Sequence, residues 1–330
     1  MMTRSTTQPA GFNPLTLLKH HNIGILGPLL ALLAACVFFA TQSDRFLTGQ
    51  NFSLILQQVM VVGVLAIGQT LVILTSGIDL SNGMIMALGT IVVTKLAVES
   101  GLPAGLSILA GLAVTTLFGL INGALFTRIK VPPFIVTLGT LNIAFALTQI
   151  YSNAQTVSGL PSALTFLGNS FRVGSTAITY GTVLMLGLYL LTWFILQRTA
   201  PGRHLYAVGN NPEAARLTGI PTQRVLLLTY TIAGFIYGIA GLLLVARTGV
   251  GDPNAGSTDN LDSITAVVLG GTSLFGGRGN IFGTLIGALI VGVFRNGLTL
   301  MGVPSVYQIL ITGVLVILAV ATDQLSRRSS

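Results

Sequence analysis

Long apolar runs alternate with short polar connections along nearly the whole chain. Most runs approach the roughly 20 residues that an α-helix needs to cross a bilayer. This pattern predicts an all-α polytopic membrane protein with about ten transmembrane helices. Ten runs can be counted, of which the eighth is short and weak: 22–42, 52–75, 81–98, 104–127, 134–151, 176–197, 225–246, 261–277, 281–301 and 306–322. The predicted organisation is an N-terminal segment 1–21, a single transmembrane domain 22–322 and a tail 323–330.

The basic residues predict the orientation of these spans, because Lys and Arg collect in cytoplasmic loops. With the N-terminus inside, eleven of the 16 Lys and Arg residues fall on the cytoplasmic side, four fall outside and Arg295 lies within the ninth run. Both termini are therefore expected in the cytoplasm. The longest cytoplasmic connection is then residues 198–224.

A weak internal repeat relates the two halves of the chain. The second and seventh runs both end in Gly-rich segments, and the fourth and ninth both carry Asn-Gly followed by Val-Pro. Equivalent runs are five apart, and an odd separation inverts one half relative to the other in the membrane. Inverted repeats are typical of transporters that handle substrate near the midplane.

Composition narrows the class further. Only 7% of residues are charged and 40 are Gly, which suits membrane helices in close contact and not an aqueous surface. The net charge of +8 follows from the cytoplasmic loops, so nucleic acid is not expected as a partner. A lone cysteine, Cys36, excludes an internal disulfide. No set of residues with catalytic or metal-ligand spacing is found, which argues against a membrane enzyme.

The sharpest local feature is "NPEAARLTGIPTQR", residues 211–224. Pro212 and Glu213 suit the first turn of a helix, whereas Gly219 ends it and Pro221 prevents its continuation. An isolated helix this short is marginal in water and needs a surface to dock on. The alternative is a solvated connector.

Three further segments have structural interpretations. "TSGIDLSNG" (75–83) is favoured as a capped turn at the membrane surface, with Gly77 permitting the turn and Asp79 or Ser81 capping the next helix; the alternative is an element near the subunit core. Pro132 and Pro133 stop one helix and start the next. The Gly-rich stretch 265–288 lacks the lysine of a phosphate-binding loop, so its glycines are expected to serve helix packing.

Polar side chains inside the spans are candidates for a translocation path, because burying them in lipid is costly. Amides and hydroxyls suit a neutral polyol better than an ion, and proton relays normally need carboxylates within the spans. Thr137 and Thr140 share a helix face and could line the path or bond to their own backbone, which is favoured for either one alone. The candidates are Gln57, Gln69, Asn122, Thr137, Thr140, Asn142 and Asn296.

Taken together, these segments resemble the ribose-type permeases, the membrane subunits of bacterial ABC importers for monosaccharides. The carrying segments span about residues 50 to 322: "IGQTLVILTSGIDLSNG", "NGALFTRIKVPPFIVTLGT", "GRHLYAVGNNPEAARLTGI" and "LDSITAVVLGGTSLFGGRGNIFGTLIGA". Two positions depart from the family pattern. Ser76 stands where the family tends to have Gly, and Asn82 where it tends to have Val.

The resemblance implies a fold like that of type II ABC importers and a multi-pass protein of the bacterial inner membrane. It implies as partners a second permease subunit, identical or not, two cytoplasmic ATPase subunits, a periplasmic sugar-binding protein and membrane lipid. ATP and Mg²⁺ are expected on the ATPase, with no catalytic residue, metal or cofactor on this chain. The loop would be the coupling helix, with coupling residues Asn211, Glu213, Ala214, Ala215, Arg216 and Gly219.

Two alternatives belong to other classes. One is a self-sufficient sugar facilitator or secondary carrier, and the other is a membrane enzyme acting on a lipid-linked sugar. Sugar flux through the chain alone would favour the facilitator, whereas dependence on an added ATPase would favour the permease subunit. Ribose, xylose, arabinose, galactose and fructose all remain open as the sugar.

Overall fold

The computed structural model describes residues 14–328 as a bundle of helices with one small β-hairpin. The helices are α1 Pro14–Gln42, α2 Gly49–Leu74, α3 Asn82–Val98, α4 Ala104–Ala124, α5 Pro133–Ser152, α6 Ser162–Thr165, α7 Tyr180–Arg198, α8 Ala200–Asn210, α9 Pro212–Leu217, α10 Thr222–Thr248, α11 Asp259–Leu269, α12 Ile281–Leu300 and α13 Ser305–Arg328. A π-helical turn, Leu125–Ile129, extends α4, and a 3₁₀ turn, Phe166–Gly168, follows α6. The hairpin pairs β1 Ser170–Val173 with β2 Thr176–Thr179.

Each of the ten predicted runs contains one α-helix or part of one. Within residues 14–328, seven helices are long and apolar enough to cross a membrane, namely α1, α2, α4 with its π turn, α5, α7, α10 and α12. The apolar stretches of α3 and α13 are shorter. The weak eighth run is α11, whose 11 residues extend about 16 Å, roughly half of a hydrocarbon core.

Helix α2 is the centre of the bundle. It contacts α7, α10, α11 and α12 and is buried along most of its length, as expected for a helix that is apolar on every side.

The crossing of α4 and α10 depends on two glycines. A Cβ atom at Gly119 would lie 2.3 Å from the carbonyl oxygen of Tyr230, and one at Gly234 would lie 2.5 Å from that of Thr115. Small residues thus let these helices approach closely, as the composition predicts.

The helix pairings of the two halves correspond. α3 packs against α4 and α5, and α11 packs against α12 and α13. α4 lies along α10, and α12 lies along α2. These contacts match when α2–α5 are exchanged with α10–α13.

The connections collect at two ends of the bundle. At the first, here called the hairpin end, the Ser53 hydroxyl accepts from the Ala177 amide at 2.7 Å, and the Asn296 amide donates to Asn51 at 2.9 Å. At the opposite end, here called the coupling end, the amide of Gly277 donates to the carbonyl of Leu74 at 3.0 Å. Helices α8 and α9 lie at the coupling end.

Several details differ from the sequence-based expectations. α1 already begins at Pro14, inside the predicted N-terminal segment 1–21, and α13 continues to Arg328, past the predicted start of the tail at 323. Residues 1–13 and 329–330 lie outside the described residues. The β-hairpin and α8 were not predicted. Pro132 and Pro133 occupy the expected positions, as N-cap and first residue of α5.

Candidate functional site

Helix α9 presents a small exposed surface at the coupling end, built as the sequence predicts. The Asn211 side chain caps the helix by accepting from the Ala214 amide at 3.0 Å, and Pro212 occupies its first turn. After Thr218 the chain turns at Gly219, whose φ of +86° is left-handed. Only Ala215 is buried, against the rest of the protein. The predicted short helix is therefore present, and it is held by that one side chain and by its cap.

An ion pair covers the outer face of α9. The Arg216 guanidinium donates to the Glu213 carboxylate at 2.6 Å, and both side chains are exposed. This hydrogen bond and the positive charge lower the pKa of the Glu213 carboxyl. Beside the pair, Leu217 is 77% exposed. The outer face of α9 thus combines a charged pair with one exposed aliphatic side chain.

Beneath α8, three segments meet at Ser76, in what we call the Ser76 junction. The Ser76 hydroxyl lies 2.9 Å from the carbonyl oxygen of Gly209 and 2.8 Å from that of Phe275, so its single proton is shared between the two. A Cβ atom at Gly209 would lie 1.8 Å from the Leu74 carbonyl oxygen. The ends of α2 and α8 and the loop before α12 are therefore in backbone contact.

The backbone conformation explains why the family tends to have Gly at position 76, where this chain has Ser. Ser76 has a φ of +63°, a left-handed conformation that glycine adopts without cost. The turn expected at Gly77 is thus made one residue earlier. The space at Gly77 is needed for another reason, since a Cβ atom there would lie 2.4 Å from the Tyr230 hydroxyl.

Asp79 belongs to a buried polar network, and the favoured interpretation as a surface turn is wrong. Its side chain has 0% exposure and accepts hydrogen bonds from the amide and hydroxyl of Ser81. The Asn122 amide donates to the same Ser81 hydroxyl at 3.0 Å. The segment before α3 therefore enters the core, which was the alternative interpretation.

The starts of α3 and α11 cross inside the protein. The Asn82 amide donates to Gln69 at 3.0 Å and to Ser263 at 2.8 Å. Gly83 and Gly256 face each other, because a Cβ atom on either would lie 2.2–2.3 Å from the carbonyl oxygen of the other. Asn82, the second departure from the family pattern, thus ties α2 to α11.

A charged cavity lies towards the hairpin end, between α2, α10, α11 and α12. Arg295 on α12 is 3.0 Å from Asp262 and 3.8 Å from Asp259. Arg247, in the last turn of α10, donates to the backbone carbonyl of Gln57 at 3.5 Å. Two adjoining cavities of about 290 and 270 Å³ share Arg247, Asp259 and Arg295 in their walls.

The walls of these cavities carry balanced charge and several amides. Arg247 and Arg295 are matched by Asp259 and Asp252, and Gln57, Gln58 and Asn254 add uncharged donors and acceptors. Such groups bind hydroxyls in pairs, with carboxylates accepting and guanidinium groups donating. Among residues 14–328, no group of three or more His, Cys, Asp or Glu is placed to hold a metal ion.

The seven path candidates are scattered through the structure. Gln57 lines the charged cavity, whereas Gln69 and Asn122 are buried in the polar network. Asn142 is exposed on α5 and donates to the carbonyl of Leu138 at 3.0 Å. Asn296 is buried and bonds to Asn51.

The Thr140 hydroxyl bonds to its own helix, at 3.1 Å from the Val136 carbonyl, as the favoured interpretation predicts. The Thr137 hydroxyl lies 3.3 Å from the Phe134 carbonyl of its own helix and 3.1 Å from the Ile78 carbonyl of the segment before α3.

Two features were not predicted from the sequence. One is the grouping of Arg247, Asp259 and Arg295 around a cavity, and the other is the junction at Ser76. A signal was present in Arg295, because an ionisable residue within a span usually has a partner and a function. Its partners lie 33 and 36 positions away along the chain, at Asp262 and Asp259, and no local pattern connects them.

Comparisons with known proteins agree over nearly the full length. A family model described as "Branched-chain amino acid transport system / permease component" matches residues 51–320. The chain is 45% identical to the fructose import permease protein of Rhizobium meliloti, covering 99% of this chain and 95% of the relative. It is 40% identical to the ribose import permease protein of Bacillus subtilis (91% and 92%) and 33% identical to the xylose transport system permease protein of Escherichia coli (95% and 95%).

Proposed function

Because this chain belongs to the family of branched-chain amino acid transport system permease components, we propose that it is the membrane subunit of an ATP-driven importer of a monosaccharide. The observation that carries this proposal is the 45% identity, over 99% of the chain, to a fructose import permease. Relatives named for ribose, allose and xylose import support a sugar of this class. None of these relatives is named as a facilitator or an enzyme.

The chain takes part in an ABC import system as a multi-pass protein of the inner membrane. Its partners are an ATPase and a sugar-binding protein, and we infer two permease subunits and two ATPase subunits. ATP and Mg²⁺ are held by the ATPase, so this chain binds no cofactor. We infer that the coupling end faces the cytoplasm, with both termini on that side, and that the hairpin end receives the binding protein.

We infer that α9 passes the motion of the ATPase to the bundle. Its Glu213–Arg216 pair and exposed Leu217 supply the contact surface. The Ser76 junction then connects α8 to the end of α2, which is the central helix. A displacement of α9 can therefore reach the core through backbone contacts, and a bistable arrangement of the helices can alternate the opening of the path.

We infer that the charged cavity belongs to the translocation path. Gln57 lies eight residues inside α2, about 12 Å from its start. A monosaccharide is neutral and rich in hydroxyl groups, which fits walls of balanced charge with amides. The corresponding pairings of α2–α5 and α10–α13 support an inverted repeat, whose halves meet where Asn82 contacts Ser263.

Reconstitution into liposomes tests the function. The chain alone should move no D-fructose or D-ribose uphill, whereas the chain with its ATPase, ATP and loaded binding protein should accumulate one of them. Uphill transport by the chain alone would refute the proposal.

Two variants test the coupling surface. Glu213→Lys places a like charge beside Arg216, and Gly219→Pro cannot adopt the observed φ of +86°. Both should abolish uptake and leave membrane insertion intact, while Leu190→Ile, at an exposed side chain of α7, should transport normally. Normal uptake by both coupling variants would exclude α9 as the coupling element.

A further inference from the structure

An apolar groove outside the coupling surface and the charged cavity lies between α7 and α10. Both helices pack on α2 but make no extensive contact with each other, which leaves a gap between them. The gap has a volume of about 570 Å³, within the range of about 300–1,000 Å³ that is usual for ligand sites. Its walls are mainly apolar and include Leu188, Leu191, Leu228, Ile232 and Phe235.

The groove is long enough to cover one bilayer leaflet. Along α10 its apolar lining runs from Val225 to Ile239, which is about 21 Å of helix. One leaflet contributes about 15 Å to the hydrocarbon core, so the groove spans that depth even where the helix is tilted. The groove begins at the coupling end, in the first turn of α10, and its floor is formed by Leu71 of α2.

The mouth of the groove is basic. Arg224 in the first turn of α10 and His204 on α8 both line it, and its lining contains no acidic residue. Arg224 has no acidic partner among the ion pairs of the described residues. The amino end of α10 adds a positive partial charge at the same place.

We propose that this groove binds an anionic phospholipid of the coupling-end leaflet, with an acyl chain between α7 and α10 and the phosphate at Arg224 and His204. An aliphatic wall with exposed leucines and isoleucines matches an acyl chain, and the basic mouth complements a phosphate. Basic pockets between membrane helices are known to bind such headgroups. A zwitterionic lipid would fill the same groove but would lack the electrostatic attraction of an anionic headgroup to the basic mouth.

Binding there has a structural consequence for the coupling segment. Pro201 and Pro221, which flank α8 and α9, both line the groove. A bound lipid would therefore hold both ends of this segment against α7 and α10. The proposal itself does not depend on what the protein transports.

Native mass spectrometry of the purified full chain tests the proposal, by titration with dioleoylphosphatidylglycerol and, in parallel, dioleoylphosphatidylcholine. The two lipids have the same acyl chains and differ in headgroup charge. The chain should bind phosphatidylglycerol more tightly. Arg224→Gln should weaken that binding by roughly fivefold, about 1 kcal/mol for one arginine, and leave phosphatidylcholine binding unchanged.

Two controls separate the groove from general surface charge. Arg128→Gln removes an exposed arginine of the π turn after α4 and should leave phosphatidylglycerol binding within twofold of the original. Ile232→Trp fills the groove at a side chain that is 49% exposed and should weaken binding of both lipids; Leu228→Trp replaces it if the first variant misfolds.

Three results would overturn the proposal. Equal affinity for the two lipids would exclude a headgroup site. An equal loss from Arg128→Gln and Arg224→Gln would show only a diffuse basic surface. A lipid-free dimer that Ile232→Trp disrupts would identify the groove as an interface between two copies of the chain.

Discussion

The Ser76 junction gives a pair of substitutions with different expected effects on stability. Ser76→Ala removes the hydroxyl but keeps a side chain in the left-handed conformation at φ +63°. Ser76→Gly removes the hydroxyl and also relieves that conformation. The difference between the two variants therefore isolates the backbone cost from the hydrogen bonding.

The magnitudes can be worked from the geometry. The hydroxyl bond to the carbonyls of Gly209 and Phe275 contributes about 1 kcal/mol, and the buried Gly209 carbonyl left without it adds up to about another 1 kcal/mol. A left-handed residue other than glycine costs about 1–2 kcal/mol. Glycine also increases the entropy of the unfolded chain, which costs about 0.4–1 kcal/mol. Ser76→Ala should thus destabilise by about 1–2 kcal/mol, whereas in Ser76→Gly the relieved backbone offsets this loss and only the entropy cost of about 0.4–1 kcal/mol remains.

Thermal unfolding in detergent measures this difference, with reaction of a thiol-specific dye at Cys36 as the reporter, since Cys36 is the only cysteine. At about 2–4 °C per kcal/mol, Ser76→Ala should melt several degrees below the original chain and Ser76→Gly close to it. Ser170→Ala, at an exposed serine of β1, is the matched control and should change nothing. Equal destabilisation by the alanine and glycine variants would refute the reasoning, because the left-handed backbone would then carry no cost.

Three further predictions concern other parts of the chain. Gly234→Leu should prevent stable packing of α10 on α4, because even a Cβ atom would lie 2.5 Å from the Thr115 carbonyl oxygen. Size-exclusion chromatography of this variant should show aggregated or absent protein. Gly187→Leu, at a glycine where a Cβ atom would have no neighbour within 4 Å, should behave normally. The Glu213–Arg216 pair should persist from pH 8 down to the ordinary glutamate range, because Arg216 lowers the pKa of the Glu213 carboxyl. The stabilisation by the pair is complete at any pH above the pKa of the unfolded chain, and it is lost only as pH falls through the lower pKa of the folded protein. An NMR titration of labelled Glu213 that showed protonation above the ordinary range would contradict the ion pair. Asp259→Asn should reduce sugar uptake at least tenfold while ATP hydrolysis stimulated by the binding protein persists, because the cavity loses the Asp259 carboxylate and α9 is untouched. The control is Lys95→Met, which breaks an ion pair with Glu99 at the same end. Unchanged uptake by Asp259→Asn would show that the cavity is not part of the path.

Local chemistry made part of this structure predictable. The cap at Asn211, the proline at 212 and the left turn at Gly219 act over a few residues, so α9 could be read from the sequence. The ten apolar runs and the bilayer thickness likewise determined the number of long helices. Helix α8 was missed because its polar sequence, "APGRHLYAVGN", carries no apolar run and resembles a loop.

The features that were not predicted from the sequence depend on tertiary contacts. Gln69 and Asn122 are polar residues inside spans, which suggested a path, yet their partners Asn82 and Ser81 arrive from a segment that was expected at the surface. Asp79 looked like a cap because such residues commonly are, and only the entry of residues 75–81 into the core removes it from solvent. The charged cavity combines residues from four helices, and its composition follows from their packing.

The short length of α11 sets the thickness of the barrier between the charged cavity and the coupling end. From Asp259, at the wall of the charged cavity, to Leu269, beside the loop that reaches Ser76, the chain advances only 11 residues, about 16 Å. On the path proposed above, a solute in the cavity has only about this length left to cross before it reaches the coupling end. A modest tilt of this one short helix would then be enough to open the barrier.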